Sequence, residues 1–230
     1  MPRAKTDSPT LKARTPRAAR PTVPPAGPDL SIEAERRGRG AMRVAGIDEA
    51  GRGPLAGPVV TAAVILDPNA VPDGLNDSKQ LTMEDRERLF PEILRWGEVS
   101  IASSSSAEID RLNIRQATLL AMVRAFRGLG HAPCHALIDG NDVPVPLLAK
   151  ASAIVKGDSR SLSIAAASIV AKVTRDRLMQ RLCRSFPAYG FSRHMGYATP
   201  VHLEALTAFG PCPFHRMSFR PIRPEDPLLI

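Results

Sequence analysis

The chain has 230 residues, enough for one domain with a substantial core, and its 43% hydrophobic and 23% charged content is ordinary for a soluble globular protein. Its three cysteines, Cys134, Cys183 and Cys212, lie far apart without CxxC spacing, which argues against a disulfide framework or a zinc site and for a reducing, cytoplasmic setting. The formal charge of +8 is concentrated at the front, where residues 1–41 carry nine Lys/Arg against four Asp/Glu, so total charge says little about a nucleic-acid groove in the remainder.

Residues 1–41 are basic and rich in Pro and Arg, with no apolar core of a secretory signal, and read as a disordered basic tail. Residues 42–230 read as one folded domain, and no apolar run in the chain reaches membrane-spanning length. Met42–Asp48 and Val59–Leu66 read as the first two strands, joined by a Gly/Pro turn. After a loop, Thr82 opens a helix with a capping box that has Asp85 in place of the usual Glu or Gln, running to about Arg95. Val99–Ser103 follows as a strand, then a short helix over Ala107–Leu112 and a longer one over Ile114–Arg127. His135–Asp139 and Ala151–Lys156 are short apolar strands. A long helix spans about Leu162 to Ser185, small and apolar nearly all round in its first half. The last helix starts with Thr199 as N-cap and Pro200 at N1 and stops at Gly210. Strands followed by strand–helix alternation give an α/β fold with a mixed sheet.

The chemistry gathers at strand ends. Asp48 and Glu49 sit where the first strand enters the turn Gly51-Arg52-Gly53, and Asp139 ends another apolar strand. Asp158 lies between a third strand-like run and a helix, and ligands collect beyond strand ends in α/β sheets. Four acids without histidine or cysteine point to Mg²⁺ or Mn²⁺ rather than zinc. Two such ions about 4 Å apart can activate water and stabilise the leaving oxygen in phosphodiester hydrolysis. Adjacent strand residues face opposite sides, so Asp48 and Glu49 reach one site only if the strand ends or bends between them. Each acid also has an ordinary alternative: turn chemistry for Asp48-Glu49 and Asp139, and a helix-start charge for Asp158. Asp176 is a rival fourth ligand, with a surface ion pair to its arginine neighbours as the better reading. Gly51, Gly53 and Ala56 match a dinucleotide fingerprint, but the turn leads into a strand rather than a helix.

The segments Gly46-Ile-Asp-Glu-Ala-Gly-Arg-Gly-Pro54, Asn76-Asp-Ser-Lys-Gln80, Ile138-Asp-Gly140, Val155-Lys-Gly-Asp158, Ala166–Met179, His194-x-Gly-Tyr-Ala-Thr199 and His215-Arg-x-Ser-Phe219, in this order, strongly resemble the bacterial ribonuclease HII family over about Val44 to Arg220. The resemblance implies a ribonuclease-H-like fold, a central mixed sheet flanked by helices, with residues 42–230 as its catalytic domain. It implies an endonuclease that hydrolyses the RNA strand of RNA–DNA hybrids and nicks 5′ to single ribonucleotides in duplex DNA, leaving 5′-phosphate and 3′-hydroxyl ends. Two divalent ions, Mg²⁺ or Mn²⁺, would be held by Asp48, Glu49, Asp139 and Asp158. Gly51, Arg52 and Gly53 would read the ribose 2′-hydroxyl, and Tyr197 would stack on the sugar beyond the junction. Ser78, Lys79 and Lys156 would contact phosphates. Met195 stands where many members have lysine, which removes a phosphate contact that Arg193 could replace. A monomer without an accessory hybrid-binding domain or partner-docking tail is expected. The competing readings are a non-catalytic nucleic-acid-binding module, a DNA-directed nuclease, and a nucleotide-binding enzyme.

Overall fold

The computed structural model describes residues 27–223. Its first element corrects the reading of residues 1–41 as a tail throughout, because Ser31–Gly38 forms a helix, α1, packed on the domain. The cause is Glu33, which is fully buried. Its Oε1 accepts from the Ser161 hydroxyl at 2.6 Å and from the Ser163 amide at 2.9 Å. The Leu162 amide bonds the Asp29 carbonyl at 3.1 Å, and Ile32 packs on Val44, Leu137 and Ile164. The remainder of the expected tail, residues 1–26, lies outside the described residues.

The strands are β1 (Val44–Ala50), β2 (Val59–Leu66), β3 (Gly97–Ser104), β4 (His135–Asp139) and β5 (Ala151–Ile154). They form one sheet in the order β3-β2-β1-β4-β5. The β1–β2 and β2–β3 pairs are antiparallel, and β1–β4 and β4–β5 are parallel, so the sheet is mixed as the strand pattern predicts. The helices are α2 (Met83–Trp96), α3 (Ser106–Leu112), α4 (Ile114–Arg127), α5 (Leu162–Ser185), α6 (Phe191–His194) and α7 (Pro200–Phe209). Thr82 caps α2 by accepting from the Asp85 amide, and Thr199 caps α7, as their sequences require. The four-residue α6, like α1, has no counterpart in the sequence reading; four residues are too few to show a helical period.

Alternation along the strands sorts side chains to two faces. Ala62, Val64 and Leu66 of β2 join the apolar side of α2 and the small residues Ala166, Ala167, Val170 and Ala171 of α5 on one face. Ala45 and Ile47 of β1, with Ala63, Ala136 and Ile138, meet Met122, Val123, Ala125 and Phe126 of α4 on the other. The first face is closed unusually tightly at Gly46, where a Cβ would lie 2.1 Å from the carbonyl carbon of Ser163. Only glycine lets β1 and the start of α5 approach backbone to backbone, and this contact fixes how far Asp48 stands from Asp158.

Candidate active site

The parallel pairing of β1 with β4 sets Ile47 opposite Ile138, which carries the next residue on each strand, Asp48 and Asp139, to the same end of the sheet. Both belong to the set of alternate positions that faces α5. Asp158 arrives from the turn before α5. One carboxylate oxygen from each of Asp48, Asp139 and Asp158 lies within 4.8 Å of the others. Asp139 Oδ1 accepts the Gly157 amide at 2.7 Å, and Asp48 Oδ1 accepts the Glu49 amide at 2.7 Å. The Ser168 hydroxyl of α5 opposes the rise of the Asp48 pKa, and it lies 2.8 Å from that of Ser78.

Glu49 is not part of this three-oxygen cluster. Strand β1 runs on to Ala50, with Glu49 paired to Thr61, so its side chain points to the α4 face. There it borders a cleft of about 90 Å³ lined by Arg52, Arg115, Thr118, Met122, Asp139 and Asp142. It also borders a second cleft, about 220 Å³, with Ser78, Lys79, Lys172 and Tyr197. Its Oε1 accepts from Arg52 at 3.1 Å, and its Oε2 is buried with no hydrogen-bond partner among the described residues.

The electrostatics of the four acids are those of a crowded site. Burial, then the charges of Glu49 and Asp139, pushes the Asp48 carboxyl well above the usual carboxylate range. Burial and Asp158 raise Asp139. Burial raises Glu49 against the opposing pull of Arg52. Lys79 Nζ sits 2.9 Å from Asp158 Oδ2; burial alone would lower the ammonium, but the bond to Asp158 and the charges of Asp158, Asp77 and Asp48 outweigh it and raise it. An all-oxygen donor set, one buried oxygen without a partner among the described residues and carboxylates that raise each other's pKa are what a hard divalent cation would relieve, so these residues fit Mg²⁺ or Mn²⁺.

The glycine turn is held from behind by two fully buried arginines. Arg216 donates to the carbonyls of Gly51 at 2.6 Å, Arg52 at 2.8 Å and Gly57 at 2.9 and 3.0 Å. Arg175 donates to Pro58 at 3.1 Å, Ala56 at 3.2 Å and Met195 at 3.0 Å. Gly51 has φ +93°, and a Cβ there would fall 1.8 Å from Arg175 Nε, so both its backbone and its space exclude any other residue. In a trans peptide the N–H points opposite the carbonyl. Drawing the Gly51 and Arg52 carbonyls inward therefore turns the amides of Arg52 and Gly53 outward.

Tyr197 is exposed and lies beside Gly53, whose Cβ, if it had one, would stand 3.6 Å from the ring. Ser78 is buried and reaches the acids only through Ser168. Lys156 is exposed on the turn before Asp158, with φ +53°. Met195 packs in the apolar cluster of Met179 and Phe191, and Arg193 is exposed two residues away. Asp176 pairs with Lys172 at 2.8 Å, not with its arginine neighbours, since Arg175 is buried and Arg177 pairs with Glu87. Sequence reasoning gave no role to Arg175 and Arg216 individually. An arginine within the basic half of the long helix, as in Thr174-Arg-Asp-Arg177, or directly after His215 carries no local sign that it donates inward.

The comparisons agree with this geometry. The family model described as Ribonuclease HII matches residues 45–222. The chain is 62% identical over 208 residues to the ribonuclease HII of Sinorhizobium fredii, covering 90% of each. The solved ribonuclease H2 from Pyrococcus horikoshii superposes with TM-score 0.68 at 29% identity, over 79% of this chain and 96% of that one. The Archaeoglobus fulgidus ribonuclease HII, solved in a complex with PCNA, gives TM-score 0.67 at 28% identity over 81% of this chain and 98% of that one. The chain belongs to the ribonuclease HII family and is a metal-dependent endoribonuclease of ribonuclease-H-like fold.

Proposed function

We propose that this ribonuclease H, which acts on RNA–DNA hybrids, also nicks the phosphodiester 5′ to a single ribonucleotide in duplex DNA and leaves 5′-phosphate and 3′-hydroxyl ends. The observation that carries the reading is the convergence of Asp48, Asp139 and Asp158 oxygens within 4.8 Å beside an outward-facing glycine turn. Two divalent ions, Mg²⁺ or Mn²⁺, held by these three acids and Glu49, would supply an activated water and neutralise charge at the leaving 3′ oxygen.

This chain's own groups supply the rest. The outward amides of Arg52 and Gly53 offer hydrogen bonds to a ribose 2′-hydroxyl, the group that separates RNA from DNA. Without a side chain at Gly53 the backbone amide stays uncovered beside the Tyr197 ring, so a sugar can approach it closely. The Tyr197 ring supplies a flat surface for the next sugar. Lys79, kept charged by Asp158, stands at the rim where a phosphate would enter. The three free cysteines suit a cytoplasmic setting, and no helix among the described residues is long and apolar enough to cross a membrane.

The test is a nicking assay on a DNA duplex containing one ribonucleotide, with Mg²⁺, with Mn²⁺ and with chelator, beside an all-DNA duplex and the Asp48→Ala variant. A metal-dependent nick 5′ to the ribonucleotide, absent from the control and the variant, is expected. Cleavage of the all-DNA duplex would overturn the ribose-reading role of the turn. Cleavage confined to long hybrids would overturn the single-ribonucleotide reading.

A further inference from the structure

Three buried histidines, His194, His202 and His215, lie behind Tyr197 and take no part in the carboxylate chemistry. Their hydrogen bonds leave no choice of tautomer. The Cys212 amide donates to Nδ1 of His215 at 2.9 Å, so neutral His215 carries its proton on Nε2. That Nε2 lies 3.0 Å from Nε2 of His202. With His215 donating, His202 accepts there and carries its own proton on Nδ1, which is 2.8 Å from the Tyr197 carbonyl. His194 is fixed in the same way: its Nδ1 accepts the Gly196 amide at 3.2 Å, and its Nε2 donates to the Tyr189 carbonyl at 2.9 Å. Its ring stacks on His202 with centroids 4.5 Å apart.

A directed relay therefore runs from the Cys212 amide through His215 and His202 to the Tyr197 carbonyl. The Tyr197 amide is held too, donating to the His194 carbonyl at 2.9 Å. Both backbone groups of an exposed aromatic residue are thus bonded to the histidine layer, while its ring lies beside Gly53. An exposed ring ordinarily samples several positions; pinning the peptide units on both sides leaves χ1 and χ2 as its freedom.

We propose that His202, oriented by His215, is the positioning residue for junction selectivity, fixing the Tyr197 backbone so that the ring meets the sugar that follows the ribonucleotide. The proposal rests on the reading of Tyr197 given above. His202 acts through Tyr197 and touches no reacting atom. The Thr199 amide also donates to the Tyr197 carbonyl at 2.8 Å, but it belongs to the same loop; His202 is the donor that ties that carbonyl to His215 and the buried layer, which packing alone would not need.

Two substitutions at one position separate these roles. Asn at 202 places an amide N–H near the ring's Nδ1 position and can still donate to Tyr197. Gln reaches the Nε2 position, meets His215 and leaves the Tyr197 carbonyl only the local Thr199 amide, 2.8 Å away, without the tie to the histidine layer. Both lose the same ring. The readout is the ratio of kcat/KM on a duplex with a single ribonucleotide to kcat/KM on a continuous RNA–DNA hybrid. His202→Gln is expected to lower this ratio roughly tenfold, as Tyr197→Ala does, while His202→Asn stays within about twofold of the parent. Equal ratios for the Asn and Gln variants would reduce the layer to packing and overturn the relay. An unchanged ratio in Tyr197→Ala would overturn the reading of Tyr197, and the relay with it. A lowered ratio in Tyr197→Ala but not in His202→Gln overturns the relay alone. Should the variants fail to fold, ¹⁵N-histidine NMR of the unsubstituted protein decides. His202 protonated on Nδ1 and His215 on Nε2 are expected; the opposite tautomer at His202, or a charged ring at neutral pH, would overturn the relay.

Discussion

On either side of the Gly51 turn the protein buries charge, and it does so in opposite ways. On the acid side, Asp48, Asp139 and Asp158 crowd together, burial and mutual repulsion raise Asp48 and Asp139, and Glu49 Oε2 is left without a partner. On the arginine side, Arg175 and Arg216 have no carboxylate among the described residues bonded to them, and their guanidinium groups are spent on the carbonyls of Gly51, Arg52, Ala56, Gly57, Pro58 and Met195. Buried charge by itself does not mark a reactive site. Crowded like charges with an unpartnered oxygen do, because such a group stays available to a cation, while a satisfied one stiffens the backbone it holds. Glu33, with an unpartnered Oε2 but outside the acid cluster, stays structural.

The sharpest way to separate the two regions is to neutralise one charge in each. Asp48→Asn should lower turnover by a factor on the order of 10³ or more. The same change should raise the Tm of the metal-free protein by roughly 2–4 °C. The folded-state pKa of Asp48 is raised, so at neutral pH the ionised carboxylate costs more in the folded chain than in the unfolded one, and the amide removes that cost. A nicking assay and a thermal scan in chelator read both effects; a lower Tm would mean that the acid side is scaffold as well. Arg216→Met should do the reverse in stability. It strands the Gly51, Arg52 and Gly57 carbonyls, which should cost roughly 3–5 kcal/mol and about 10 °C of Tm, with activity falling as the turn loosens. A variant with parental Tm would show that water replaces the guanidinium without loss.

Acid should attack a third buried layer before the arginines. Burial, then the neighbouring His202, pulls His215 down to about 4, and burial lowers His202 as well. A histidine with a lowered folded pKa costs nothing above its unfolded value near 6.5. Its contribution is lost as pH falls from there toward 4, because the unfolded chain takes up protons that the folded layer refuses. Protonation of the raised acids stabilises in the same window, so the comparison is with His215→Gln, which keeps the acids. Between pH 7 and pH 5 the parent should lose roughly 5 °C of Tm relative to that variant, and identical profiles would contradict the neutral tautomers. The smallest effect is expected at Arg115, which makes a bidentate pair with Asp142 at 2.7 and 2.8 Å but is exposed. Arg115→Ala should leave the denaturant midpoint essentially unchanged, because solvent screens the exposed pair.

Much of this was legible in the chain. The mixed sheet, the long helix α5 and the caps at Thr82 and Thr199 follow from periodicity and capping chemistry, which act over a few residues. Asp48, Asp139 and Asp158 were legible as strand-end and helix-start acids that parallel pairing brings together. The distinct position of Glu49 required knowing that β1 continues to Ala50 instead of bending after Asp48. Arg175, Arg216 and the three histidines escaped because their partners are backbone carbonyls and amides, which every residue has, so no spacing of side chains announces them. Helix α1 escaped because it is short and the Ser161 and Ser163 groups that hold it are remote in sequence. A Pro-free run of helix formers from Ile32 to Arg37 was its one local signal.

That remoteness sets an order of assembly. The Ser163 amide that Glu33 caps is 130 positions later in the chain, so at roughly 5–20 residues per second Glu33 waits about 6–26 s during synthesis before its partner is made. Eight residues are too few to hold a helix alone in water. Helix α1 is therefore the first described element to leave the ribosome and among the last to form. When it docks, it closes on the segment that begins three residues after Asp158, so an early-made helix completes the surroundings of the last of the four site acids to be translated.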